Sequence, residues 1–316
     1  MKMHHLRDFV AVSKQQSVRA AARVLKIAQP AVTRSLRELE QELGASLLDR
    51  HARGVTLTPA GAAFLVRANA ALEELRRGRE EIGQVADASQ GSVVTGVATA
   101  PLLQLVPRAY AAFRKEYPAV RMRFFEGVFA SLEPRVRDGT LDFYIGPRPE
   151  RVSRAYQVDL FFRNERVVIG RKGHPLRLAG SLKELIDAQW VLTGLRERPE
   201  QEFEEQFKAL GLRSPTPLVQ ADSMLSILTL VTTSDALVFL PRQWADSPLF
   251  RDLIEPITVK EPLAAPDIVR LSRAGIPLTP LAERWSDLLR REAVAVTLPP
   301  RRRAPAARPA RRSGPG

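Results

Sequence analysis

The chain has 316 residues and a net charge of +13, and 45% of its residues are hydrophobic. This length suits two or three domains, and the hydrophobic content allows packed cores, so general disorder is excluded. The absence of cysteine excludes disulfides, thiolate catalysis and thiol-based redox sensing. The N-terminus lacks the apolar run of a signal peptide and no segment is long enough to span a bilayer, so we expect a cytoplasmic protein without a membrane partner.

The positive charge is concentrated at the two ends of the chain. Residues 1–58 carry ten basic and five acidic side chains, and residues 298–316 carry six arginines and no acid. The residues between them contribute only +2 of the total of +13. This distribution indicates a polyanion-binding part joined to a different kind of domain. An arginine-rich genome or an effect on solubility would give the same distribution.

The first part of the chain predicts three helices in close succession. Ser17 is a good N-cap for a second, alanine-rich helix that begins at Val18. Pro30 lies in the first turn of a third helix, where its missing N–H costs no hydrogen bond, and Gly44 suits the C-cap of that helix. The spacing of apolar residues predicts one buried stripe on the third helix, formed by Val32, Leu36, Leu39 and Leu43.

The front of the third helix carries side chains that suit DNA. Gln29, Thr33, Arg34 and Arg37 point away from the predicted core. Gln and Arg hydrogen-bond to adenine and guanine edges in a major groove, and the ring of Pro30 can pack on a thymine methyl group. The free amides of the helix start can face a phosphate. The alternative interpretation of these residues is a solvated helix face.

A long helix is predicted over residues 59–89. Thr58 suits its N-cap and Pro59 its first position. The apolar residues follow a narrow 3-4 alternation, interrupted at Arg79, and the opposite face is charged, which indicates pairing with another helix. Packing of this helix on its own domain is the alternative. The predicted stripe consists of Leu65, Ala68, Leu72, Leu75, Ile82 and Ala86.

Residues 3–62 resemble the winged helix-turn-helix of LysR-type transcriptional regulators, in the pattern that runs from "LRDFVAVSKQQSVRAAARVLKIAQPAVTRSLRELEQELGASLLDR" into "GVTLTPAG". The resemblance implies that residues 47–58 form the wing, that Arg53 enters a minor groove and that the linker helix dimerises. The sequence departs from the family at Ala28, where Ser or Thr is frequent. The predicted DNA-binding residues are Ser17, Arg19, Gln29, Pro30, Ala31, Thr33, Arg34, Arg37, Arg50 and Arg53.

From Gly91 onward, strand-like and helix-like segments alternate, which favours parallel sheets covered by helices on both faces. The resemblance implies two such lobes, joined by crossovers near residues 156–163 and 266–271. The expected fold class is therefore α/β, with an N-terminal winged helix-turn-helix, a long linker helix and a two-lobed effector domain like a type 2 periplasmic binding protein.

The expected domains follow from these boundaries. They are the DNA-binding domain at 1–58, the linker and dimerisation helix at 59–89, the effector domain at 90–297 and a disordered basic tail at 298–316. Within the effector domain, lobe I is expected at about 90–161 and 269–297, and lobe II at about 162–268.

Ligands of such sheets bind at the carboxyl ends of strands, near helix starts. In the family these positions line the cleft between the lobes. The amides of the helix start at Thr99 favour an anionic effector, and Phe129 as a wall favours an aromatic one. A hydroxyl at a helix start, such as that of Ser223, is equally well explained as a plain N-cap. The predicted effector-binding residues are Thr99, Ala100, Pro101, Gly127, Phe129, Ala130, Pro147, Thr193 and Ser223.

Two phrases in this region, "RDGTLDF" and "FLPRQW", resemble those of a LysR-type subgroup that senses aromatic sulfonates and carboxylates. The acidic residues Glu202, Glu204 and Glu205 lie on a charged predicted helix and are interpreted as solvated surface. The sequence holds no phosphate-binding glycine loop, HExxH motif or GxSxG motif, and its histidines have no partner at metal-site spacing. We therefore predict no catalytic residue, no metal and no cofactor.

The main hypothesis is a ligand-responsive transcription regulator that is not an enzyme. Its expected partners are double-stranded promoter DNA, a small-molecule effector and further copies of the chain in a homotetrameric dimer of dimers, with RNA polymerase as an additional partner. The alternative is a cytosolic two-lobed solute-binding protein or enzyme without specific DNA binding.

The basic tail yields a first prediction. Deletion of residues 299–316 is expected to weaken salt-sensitive, non-specific DNA binding, because arginines add non-directional phosphate contacts. The choice of binding site should stay the same. The measurement is the slope of the logarithm of affinity against the logarithm of salt concentration. An unchanged slope after deletion would show that the tail is an inert extension.

Overall fold

The computed structural model describes residues 1–51, 54–86, 91–193, 198–217 and 219–297. The predicted wing residue Arg53, the predicted end of the linker helix at 87–89 and the basic tail at 298–316 lie outside the described residues. Within the described ranges, no helix combines the length and the apolar character that crossing a bilayer requires.

The N-terminal unit consists of three helices and a hairpin. These are α1 (Met3–Gln15), α2 (Val18–Leu25), α3 (Gln29–Leu43), β1 (Leu48–His51) and β2 (Gly54–Leu57). The Ser17 hydroxyl accepts a hydrogen bond from the Ala20 amide, which confirms the predicted N-cap. Lys26, with a φ of 56°, turns the chain between α2 and α3, and Gly44, with a φ of 66°, ends α3. The two strands pair antiparallel, as the wing prediction requires.

The predicted stripe fixes the rotation of α3 about its axis. Val32, Leu36 and Leu39 are at most 1% exposed and pack in one core with α1 and α2. The prediction is wrong at Leu43, which is 38% exposed because it lies in the last turn, outside that core. The opposite face of α3 is therefore held toward solvent.

The linker helix α4 (Pro59–Ala86) contacts both the DNA-binding unit and lobe I of the effector domain. The Thr58 hydroxyl accepts a hydrogen bond from the Gly61 amide at 2.9 Å, as expected of an N-cap. The first half of α4 packs on the DNA-binding unit through residues that include Leu65 and Ala68. This agrees with the alternative of packing on its own domain. Leu75 and Ile82, farther along, are 48% and 74% exposed.

After the linker, strands and helices alternate as predicted. The strands are β3 (Ser92–Val97), β4 (Arg121–Glu126), β5 (Phe143–Pro147), β6 (Tyr156–Phe162), β7 (Arg166–Arg171), β8 (Gln189–Thr193), β9 (Val219–Ala221), β10 (Ala236–Pro241), β11 (Ile254–Ile257) and β12 (Ile268–Arg273). The helices are α5 (Thr99–Gln104), α6 (Val106–Glu116), α7 (Phe129–Arg137), α8 (Pro199–Lys208), α9 (Met224–Thr233), α10 (Gln243–Asp246) and α11 (Pro280–Thr297), with a 3-10 helix at Leu182–Leu185.

These strands form two five-stranded sheets, one in each lobe. The strand order is β4-β3-β5-β12-β6 in lobe I and β11-β7-β10-β8-β9 in lobe II. The expectation of wholly parallel sheets is wrong, because β12 runs antiparallel to β5 and β6, and β7 runs antiparallel to β10 and β11. The reason is the double crossing of the chain between lobes. The crossover segments β6 and β12 pair with each other, and Arg270 donates to Asp159 across them at 2.7 Å.

A buried ion pair fixes the second half of α4 on lobe I. The side chains of Arg77 and Asp142 are 6% and 4% exposed, and Arg77 Nη2 lies 3.1 Å from Asp142 Oδ1. Arg77 Nη2 also donates to the carbonyls of Gly139 at 2.7 Å and Leu141 at 3.0 Å. Asp142 Oδ2 accepts the amide of Val94 at 2.7 Å. Burial raises the pKa of the Asp142 carboxyl, and the charge of Arg77 opposes that rise.

Replacing Arg77 by Met tests this attachment. The substitution removes the cation beside the buried Asp142 carboxylate and the donor that the carbonyls of Gly139 and Leu141 share. We expect the free energy of unfolding of the effector domain to fall by about 3–5 kcal/mol. The measurement is urea denaturation of the full chain.

Arg79→Met is the matched control, because Arg79 lies exposed on the same helix. Its effect should stay within about 0.5 kcal/mol. Equal losses of stability in the two variants would contradict a structural role for the buried guanidinium.

Candidate DNA-binding and effector sites

The first turn of α3 is open to solvent. Gln29, Pro30 and Ala31 are exposed, and the side chain of Arg34 is 83% exposed. Ala28 occupies the N-cap and makes no side-chain hydrogen bond there. Pro30 has no N–H, and the amides of Ala31 and Val32 donate to the Ala28 carbonyl at 3.0 and 3.4 Å. The Gln29 amide is therefore the group of this turn that can face an external acceptor such as a phosphate oxygen.

The guanidinium of Arg34 is oriented by a carboxylate one turn away. Arg34 Nε donates to Glu38 Oε1 at 2.8 Å, and this hydrogen bond lowers the pKa of the Glu38 carboxyl. His5 Nε2 lies 3.3 Å from the other oxygen of Glu38. The Thr33 hydroxyl donates to the carbonyl of Gln29 at 3.2 Å. Glu38 binds the Nε side of the guanidinium, so the Nη groups can contact a base or phosphate while this hydrogen bond is kept.

The other predicted DNA-binding residues lie around this turn. By helical spacing, Pro30, Thr33, Arg34 and Arg37 share one face of α3. Arg37 on α3, Arg19 on α2 and Arg50 on β1 are exposed, whereas Ser17 is half-buried and caps α2.

A cavity of about 90 Å³ lies between the two lobes. Five predicted effector-binding residues line it, each at or just beyond the carboxyl end of a strand: Thr99, Ala100, Gly127, Pro147 and Thr193. A second cavity of about 470 Å³ adjoins the first along the cleft. The expectation that ligands bind at the carboxyl ends of strands therefore identified residues that line the cavity between the lobes.

Four predicted residues are not on the walls of the first cavity. Phe129 is 7% exposed, and its ring packs on Tyr144 and Tyr156 with centroid distances of 5.5 and 5.2 Å. It lines the second cavity of the cleft and not the first, so its role as an aromatic wall of the cleft stays a prediction. Pro101 is buried in α5, Ala130 is exposed, and the exposed Ser223 caps α9 by accepting the Ser226 amide.

The sequence prediction missed the polar residues of this cavity. Arg166 Nη2 donates to Glu202 Oε2 at 3.0 Å, and the two side chains are 7% and 28% exposed. Glu202 was interpreted as solvated surface, and this is wrong because α8 turns it toward Arg166. The Thr99 hydroxyl donates to Glu126 Oε1 at 3.1 Å. Asn164 Oδ1 is buried and accepts no hydrogen bond from a described residue.

Aromatic walls come from lobe II, and sequence reasoning missed these as well. Phe203 on α8, Phe239 on β10 and Trp244 on α10 line the cavity. Phe203 and Phe239 pack with a centroid distance of 5.6 Å. Their only sequence signal was membership of apolar stripes, which also describes ordinary core residues.

The structure offers no metal-binding cluster among the residues it describes. The polar side chains of the cavity can form hydrogen bonds and ion pairs with a ligand. This arrangement suits reversible binding of a small molecule.

The comparisons with known proteins cover both parts of the chain. Residues 3–62 match the bacterial regulatory helix-turn-helix protein family of the lysR type, and residues 86–294 match the LysR substrate binding domain. The chain belongs to the LysR family of bacterial regulators.

Similar proteins include two transcription regulators from bacteria. The chain is 29% identical over 249 residues to the HTH-type transcriptional regulator GbpR of Azospirillum brasilense, covering 78% of this chain and 73% of GbpR. It is 30% identical over 300 residues to the SDS degradation transcriptional activation protein of a Pseudomonas species, covering 91% of this chain and 95% of that protein.

The fold is also that of a solved LysR-family structure. Full-length CbnR complexed with its target DNA superposes with a TM-score of 0.68 at 21% identity, covering 92% of this chain and all of CbnR. The predicted fold class is thus confirmed as an N-terminal helix-turn-helix followed by a two-lobed domain of mixed α/β sheets. As a LysR-family member, the chain is a ligand-responsive, DNA-binding transcription regulator and not an enzyme.

Proposed function

We propose that this LysR-family chain binds double-stranded promoter DNA through the front of α3, and that a small molecule in the cleft changes how it sits on that DNA. The observation that carries the proposal is the polar first turn of α3, exposed on one side and anchored on the other. Val32 and Leu36 prevent the helix from rotating. Gln29 and Arg34 are thereby held where a major groove can meet them.

The proposed DNA contacts are divided between bases and phosphates. Gln29 and Arg34 hydrogen-bond to base edges, and Pro30 and Ala31 make apolar contacts with the DNA. Thr33 contacts the DNA from the same turn of the helix. The outlying hydroxyl and guanidinium groups bind phosphates or enter the minor groove: Ser17, Arg19, Arg37, Arg50 and Arg53.

The proposed assembly is a dimer of dimers. Leu75 and Ile82 are exposed apolar residues on α4, and pairing of two α4 helices would cover them. A two-fold pair places two α3 helices on two half-sites. We place the protein in the cytoplasm, with RNA polymerase as a further partner at the promoter.

The proposed effector site is the cavity between the lobes. Thr99, Ala100, Gly127, Pro147 and Thr193 contact the ligand from the two sheets. A ligand that binds the closed cleft more tightly than the open one shifts the lobes toward closure. Because α4 is fixed on lobe I through Arg77, that movement reaches the DNA-binding unit. The division into 1–58, 59–89 and 90–297 follows these roles.

Arg34→Ala tests the recognition helix. We expect affinity for DNA upstream of the chain's own gene to fall about 10- to 100-fold, because one good bidentate base contact contributes about 1–3 kcal/mol. The effector domain should stay folded and keep its ligand affinity. The measurement is fluorescence anisotropy with scrambled competitor DNA present.

Arg251→Ala is the control, because Arg251 lies in lobe II with its side chain 69% exposed. It should bind the same DNA with unchanged affinity. Wild-type affinity in Arg34→Ala would show that α3 does not read the site as proposed.

A further inference from the structure

The charge of the cleft is opposite to the charge of the whole chain. The chain carries +13, whereas the described walls of the first cavity hold two carboxylates and one guanidinium. The adjoining cavity adds three further carboxylates and one further guanidinium among its described walls. Among the described walls of the cleft, carboxylates therefore outnumber guanidinium groups, which favours a cation over an anion.

The one guanidinium in the first cavity already has a carboxylate partner. Arg166 is 7% exposed and donates to Glu202 at 3.0 Å. An anionic ligand that reached Arg166 would meet a guanidinium whose charge Glu202 already compensates. Arg166 is thus poorly placed to select an anion.

The carboxylate of Glu126 lacks such a partner. It ends β4 on the lobe I wall, where Oε1 accepts the Thr99 hydroxyl at 3.1 Å. No described lysine or arginine lies within ion-pair distance of it. It stands at the start of α5, where the sequence led us to expect an anion. Because α5 has only six residues, its dipole gives little compensation.

The rest of the wall combines a hydrogen-bond acceptor with aromatic residues, which suits a small ligand that carries a positive charge at one end and an apolar group at the other. Asn164 Oδ1 is a buried acceptor that receives no hydrogen bond from a described residue. Phe203, Phe239 and Trp244 contribute aromatic side chains to the lining. Aromatic rings attract both apolar groups and ammonium groups.

We propose that the effector is a small amine: its protonated nitrogen donates hydrogen bonds to the Glu126 carboxylate, and its apolar body packs on Phe203, Phe239 and Trp244. This inference rests on the proposed function, since the cavity is the effector site named there. It replaces the anionic, acid-type effector that the sequence favours.

Matched probes test the proposal directly. 2-Phenylethylamine and 3-phenylpropanoate have the same ring and similar length but opposite charge. Isothermal titration calorimetry on the full chain should show binding of the amine and at least tenfold weaker binding of the carboxylate, about the effect of one charged hydrogen bond.

Variants of the chain locate the interaction. Glu126→Gln keeps an oxygen for the Thr99 hydroxyl and removes the charge, so amine affinity should fall about tenfold or more. Asp252→Asn removes one negative charge from a side chain that is 89% exposed and should leave amine affinity unchanged. Three results would overturn the proposal: tighter binding of the carboxylate, amine binding that survives Glu126→Gln, or no amine binding at millimolar concentration.

DNA binding by the same preparations separates this proposal from the proposed function. Arg34-dependent DNA binding together with a preference for the carboxylate probe would overturn only the class of effector. Absence of specific DNA binding by the wild-type chain would overturn the regulator proposal, whichever of the two probes binds more tightly.

Discussion

A buried ion pair joins the long helix α4 to lobe I, and both functional sites depend on that attachment. Arg77 and Asp142 are nearly inaccessible to solvent, and two backbone carbonyls also accept hydrogen bonds from Arg77 Nη2. Removing one partner of such a pair costs far more than an exposed ion pair contributes. The same helix shares a hydrophobic core with α1 through Ala68. One continuous helix therefore connects the DNA-reading unit with the effector cleft.

Each end of this connection has its own constraint. At the DNA end, the buried face of α3 leaves Gln29 and Arg34 facing solvent, and Glu38 orients the guanidinium through its Nε. At the effector end, Arg166 and Glu126 approach one cavity from different lobes. A ligand that contacts both lobes has different free energies of binding to the open and closed cleft. That difference is what can change the placement of α3.

Local chemistry explains why the DNA-binding half was predictable from sequence. The cap at Ser17, the turn at Gly44 and the apolar period of α3 each act over a few residues. The cavity was less predictable, because Arg166 and Glu202 meet only after β7 and α8 pack together. Glu202 follows a charged helical pattern, so sequence alone could not distinguish it from surface. Phe129 packs on Tyr144 and Tyr156 and lines the second cavity of the cleft rather than the first, a division that depends on residues distant in sequence. The antiparallel pairing of β6 with β12 likewise depends on segments far apart in sequence.

The measurement that tests the central claim most directly is a DNase footprint of the purified full chain on DNA around its own gene, with scrambled competitor present. Two α3 helices related by a two-fold axis should protect an inverted repeat. A dimer of dimers should extend that protection, with interruptions, over several helical turns. The account predicts this long, interrupted footprint at moderate salt. Absence of protection at moderate salt, with only loose binding when salt is low, would contradict it.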